Sequence, residues 1–142
     1  MTEEHPFKKK VQVDILQKLC DATSPHIKVD GFITMHMAEG VKEPGLSKQE
    51  VFVHACHGAI SAMVLMDQKL PESASQIIKA AADAASRIGA DQMETMTWAM
   101  EGIAKVTPGL KPADVAAISA AIDSDYHGAG PIFNELCAKA KG

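Results

Sequence analysis

The tetrapeptide Ser47-Lys48-Gln49-Glu50, set directly before the apolar run VFVHACHGAISAMVLM, constrains this chain more than any other feature. A serine accepting from the amide three residues on, with a glutamate there reaching back to the serine amide, satisfies two donors that a helix start leaves open. The residues that follow place apolar side chains at helical rather than alternating spacing. A long helix is expected, running to about Leu70, where Pro71 stops it.

The remaining segments read the same way. Val11, Ile15, Leu16 and Leu19 give a helix from Lys10 to about Ala22, ended by Ser24-Pro25. The segment HIKVDGFITMHMAEG is ambiguous over residues 27–37. Asp30-Gly31 suits a hairpin turn, or Asp30 caps a short helix ending at Gly40. The helix is favoured, because a lone two-stranded hairpin is marginal and no third strand is evident. Further helices are expected from Glu72 to Gly89, from Asp91 to about Val106, from Pro112 to about Asp123, and over IFNELCAKAKG, with a Gly-rich turn at Tyr126 to Pro131. Aromatic residues are only 4% of the chain, so the core volume must come from Ala, Met, Ile, Val and Leu, which favours close-packed helices. The expectation is all-α: residues 1–9 as a flexible polar segment, and 10–142 as a single compact domain of about six or seven helices with bundle-like or orthogonal packing.

Charge and hydropathy exclude several classes of function. The net charge is −4, and the largest basic cluster is Lys8-Lys9-Lys10, so no nucleic-acid partner is expected. No apolar run is long enough for a membrane span, and MTEEHPFKKKVQVD has no apolar core of the kind a signal peptide needs. Cys20, Cys56 and Cys137 are odd in number and widely spaced, without a CxxC, which points to unpaired thiols in a reducing cytoplasm.

At about 100° per residue, Glu50, His54, His57 and Ser61 share one face of the capped helix, and Gln68 returns to it. The stripe is either the solvated face of an amphipathic helix or a ligand set. As a ligand set, one carboxylate and two imidazoles suit zinc, iron or manganese, with His36, His26 or His127 as a further ligand. Cys56 points the other way, toward Phe52, Ala59, Ile60 and Met63. It reads as a core thiol, or as a reactive one beside His57 if that face opens to a cleft. Gly58 in mid-helix signals a very close neighbour, another helix before a ligand.

Other segments carry less chemistry. DSDYHG, Asp123 to Gly128, begins like a calcium loop, but Gly130 and Asn134 stand where an aliphatic residue and a glutamate belong, so it reads as a helix end and turn. Met93, Met96, Met100 and Ile103 are expected to face the core. Trp98 falls on the opposite, polar side, as an interface anchor or as a cover for a neighbouring element. There is no GxGxxG, P-loop or nucleophile elbow.

Two segments, LSKQEVFVHA and SRIGADQMETMTWAM, are similar to the core-helix opening and the helix–glycine–helix ending of the carboxymuconolactone decarboxylase and alkylhydroperoxidase D-like families. Residues 46–106 resemble those families in this respect, and the resemblance implies an all-helical oligomer. Their peroxidase members carry a CxxC with a downstream histidine shortly before the glycine. Here that region reads ASQIIKAAADAASRIG, with neither residue, so the peroxidase site is not implied.

The leading functional expectation is a non-catalytic cytoplasmic helical protein acting by self-association or partner binding, a homo-oligomer whose protein or small-molecule partner is unknown. The alternatives are a metal-binding protein or small metal-dependent enzyme using Glu50, His54 and His57, and a thiol redox protein using Cys56.

Overall fold

The computed structural model describes residues 5–21, 25–67 and 69–141. These form seven α-helices and one short 3₁₀ turn, with no strand among the described residues. The helices are α1 Pro6–Leu19, α2 Pro25–Gly40, α3 Lys48–Leu65, α4 Leu70–Ile88, α5 Gln92–Ala104, α6 Pro112–Asp125 and α7 Ala129–Lys141, with the 3₁₀ turn Thr107–Gly109 after α5. The all-α expectation holds. No helix among the described residues is long and apolar enough to cross a membrane.

Helix α3 lies at the centre, packed against α1, α2, α4 and α5; α4 adds α2, α5 and α6, and α7 closes against α5, α6 and the 3₁₀ turn. The capping box forms as the sequence requires. Ser47 Oγ accepts from the Glu50 amide at 3.1 Å, and Glu50 Oε1 accepts from the Ser47 amide at 3.0 Å. Ser47→Ala is expected to cost about 1 kcal/mol in urea or thermal unfolding. A change within a few tenths would mean that solvent replaces the cap at no cost.

Several boundaries differ from the sequence reading. Helix α1 begins at Pro6, inside the segment expected to be flexible. Proline suits a first helical position because its missing N–H has no partner to lose there, and His5 caps the start by accepting from the Phe7 amide at its Nδ1, 3.1 Å away. Phe7, Val11, Ile15 and Leu19, four apart, bury one face. The hairpin at Asp30-Gly31 and the cap at Asp30 are both overturned. Helix α2 runs unbroken from Pro25, because Val29, Ile33 and Met37 at spacing four are completely buried, which outweighs the roughly 1 kcal/mol cost of Gly31. Pro71 does not stop α3. That helix ends at Leu65, Asp67 takes a left-handed φ of 54°, and Pro71 stands in the first turn of α4. Gly89 ends α4 with a left-handed φ of 73°.

The alanine-rich helices divide. In α4, Ala74, Ala80, Ala81, Ala84 and Ala85 are buried and let neighbouring helices approach within the chain. In α6, only Ile118 and Ile122 are buried. Met93 is 74% exposed, against the expectation that it faces the core. The buried side of α5 is Thr95, Ala99, Met100, Gly102, Ile103 and Ala104, and Met93 in the first turn falls outside it.

Candidate functional site

The polar stripe of α3 is not a free solvated face. Glu50 is exposed, but His54, His57 and Ser61 are half-buried. The neighbours come close because glycines admit them. A Cβ on Gly58 would lie 2.5 Å from the Lys8 carbonyl oxygen of α1. A Cβ on Gly102 of α5 would collide with the Val53 carbonyl oxygen and stand 2.9 Å from the His57 amide nitrogen. The close neighbour signalled by Gly58 is therefore a helix.

Of the stripe's histidines, His54 meets a particular partner on α1's N-terminal side. The ring of His54 lies flat on that of His5, with centroids 3.8 Å apart and planes 13° apart. Its Nδ1 is buried without a hydrogen-bond partner. Burial pushes the His54 pKa below the usual imidazole value; the charges of His5 and Lys105 act in the same direction, and Glu50 opposes them. The fold thus favours neutral His54. Its contribution to stability is full above the ordinary value of about 6.5 and is lost as pH falls from there through the lowered folded value. Glu50 is held below the usual carboxylate range, first by the Ser47 amide and then by the Ser47 hydroxyl. The same two bonds commit its carboxylate to the cap.

The ligand set read from the helical wheel is not assembled. Among the described residues, no three of His, Cys, Asp and Glu come together to hold a metal ion. Glu50 is turned back to Ser47, and His54 is stacked on a ring the wheel does not contain. His36, the expected extra ligand, instead joins α2 to α1: its Nε2 lies 2.8 Å from Asp14 Oδ2, with the His36 side chain almost wholly buried. His127 is exposed in the turn before α7, and the side chain of His26 and the whole of Gln68 lie outside the described residues. The residues thus give no support to zinc, iron or manganese at this face.

The other candidates also resolve into structural roles. Cys56 is completely buried, and burial pushes its thiol well up, which disfavours the thiolate that redox chemistry needs. Trp98 is half-buried and meets Phe52 edge-on, with centroids 5.7 Å apart at 61°; it covers the core rather than standing clear on a polar face. Asp123, first residue of the loop that begins like a calcium site, accepts from the Gly130 amide at 3.1 Å and so caps α7.

His5 was missed by the sequence reading, although a signal was there: a polar residue directly before a proline that opens a helical run. Beside it, a cleft of about 490 Å³ lies between the start of α1 and the loop after α2, lined by Phe7, Lys10, Glu43, Pro44 and Leu46 as well as His5. A second surface feature is the outer side of α6. Ala113, Ala116, Ala117 and Ala120 are exposed there, next to a groove shared with Pro131 and Asn134 of α7. No family model, curated protein or solved structure matches this chain.

Proposed function

We propose that this protein is a non-catalytic helical module that works by self-association, with the outer face of α6 as the contact between copies. The observation that carries the reading is the contrast between the two alanine-rich helices. Five of the six alanines of α4 are buried inside the fold, while Ala113, Ala116, Ala117 and Ala120 of α6 remain exposed at helical spacing. A face of small side chains lets a second helix approach closely, and a two-fold pairing of like surfaces is the commonest way for identical chains to meet. The same reading places the chain in the cytoplasm, in keeping with three cysteines in no disulfide, one of them exposed.

Sedimentation velocity over a wide range of concentration tests the proposal. The expected result is a dimer or larger species that Ala117→Arg converts to monomer with no loss of folding stability, because position 117 is exposed in the single chain. A wild-type chain that stays monomeric at the highest concentration, or an oligomer indifferent to the arginine, would reject it.

A further inference from the structure

We propose that the stacked pair His5–His54 is a pH-sensitive latch, holding the first turn of α1 against α3 while both rings are neutral and releasing it on acidification. The argument begins with valence. His5 Nδ1 accepts from the Phe7 amide, so that nitrogen carries no proton in the folded state. Protonating His5 fully puts a hydrogen on Nδ1 and turns the acceptor into a donor facing a donor. The cap of α1 is then lost. The second part is the stack itself. Two nearly parallel imidazoles 3.8 Å apart tolerate two positive charges badly, because each cation then faces the other at close range.

The surrounding charges set the balance. On α3, the carboxylate of Glu50, held in the cap with Ser47, faces both His5 and His54 and favours a positive charge on either ring. Lys105, at the end of α5, opposes it at His54. Beside His5, the cleft places Lys10 of α1 and Glu43 of the loop after α2, one of each sign. The buried Nδ1 of His54 has no acceptor waiting for a new proton. Charging His5 therefore breaks the cap, and charging both rings pulls the two apart. What they hold is specific: Phe7, two residues on from His5, is buried beside Gly40, where an added Cβ would meet its ring at 2.7 Å and the Val51 side chain at 2.8 Å. Letting go of the first turn lifts Phe7 from that seat and opens the cleft. This latch is independent of contact through α6.

Hydrogen exchange at the Phe7 and Lys9 amides tests it, since these bond to the Nδ1 and the carbonyl oxygen of His5. Between about pH 7.5 and about pH 5.5, the span in which imidazoles take up a proton, protection corrected for intrinsic rates is expected to fall by about tenfold or more at these two amides and not in α4. Two variants separate the latch from general acid loosening. His54→Phe keeps an aromatic ring in the stack without a proton to gain, and His5→Asn keeps a cap that does not titrate. His5→Asn is expected to show less than about a threefold fall, and His54→Phe, which keeps the protonatable cap at His5 but removes the facing charge, a fall smaller than that of the wild type. Unchanged wild-type protection, or variants that lose protection as the wild type does, would overturn the proposal. If a variant fails to fold, the wild type decides: the loss of protection must share its midpoint with the change of the His5 ring protons seen by NMR, and a separate midpoint overturns the latch.

Discussion

Gly102→Val is expected to destabilise the protein by about 3 kcal/mol or more, a large share of the roughly 5–15 kcal/mol that holds a domain together. Two effects compete at this position. Any residue with a Cβ gains helix propensity over glycine, at most about 1 kcal/mol for alanine. Against that, the added carbon meets the Val53 carbonyl oxygen, the His57 amide nitrogen and the Cys56 Cβ, which are backbone or backbone-fixed atoms of the helix opposite. None of these can swing aside as the end of a flexible side chain can, so α5 must move off α3 as a body. Packing wins over propensity, and even Gly102→Ala is expected to lose about 1–2 kcal/mol. Gly31 supplies the opposite sign. It is also helical, but open space surrounds its missing Cβ, so Gly31→Ala should stabilise by up to about 1 kcal/mol. Urea midpoints at constant slope check both. A Gly102→Ala variant as stable as wild type would mean that α5 and α3 are not in backbone contact.

That contrast shows where the sequence is legible and where it is not. Helix starts are chemical: Ser47-Lys48-Gln49-Glu50 and Asp91 state their hydrogen bonds in the residue types, and both form. Periodicity also shows which side of α3 faces inward, so Cys56 falls in the core as the wheel places it. Prolines are less legible, because the same residue ends one helix or opens the next. Pro6 and Pro71 both open one here, and which role applies depends on whether the preceding turn has something to pack on. Asp30-Gly31 fails for the same reason: local turn chemistry is worth about 1 kcal/mol, and burial of Val29, Ile33 and Met37 overrides it. The site was the least legible part. A helical wheel fixes directions on one helix and nothing of what stands opposite. Glu50, His54 and His57 do share a sector, but His54's partner is His5, about fifty residues earlier, and Glu50 had already been claimed by the capping box visible in the same tetrapeptide.

Phe52→Ala is expected to cost about 3–5 kcal/mol, the range for removing a fully buried phenylalanine whose surroundings cannot collapse into the gap. Helix α3 has neighbours on several sides, held by backbone contacts at Gly58 and Gly102, so there is little freedom to close the cavity. Roughly 0.5–1.5 kcal/mol of the loss comes from the edge-on pairing with Trp98. Because Trp98 is the one tryptophan in the chain, its fluorescence reports the event directly. In the folded variant its emission should change as the ring loses its buried neighbour, and the urea midpoint should fall with it. The same residue pair separates the two roles weighed for Trp98. A residue that covers the core loses stability on Trp98→Ala and leaves the association state unchanged. An anchor between copies does the reverse. The half-buried ring against Phe52 predicts the first outcome, and a Trp98→Ala variant that keeps its stability but turns monomeric would move the contact between copies from α6 to α5.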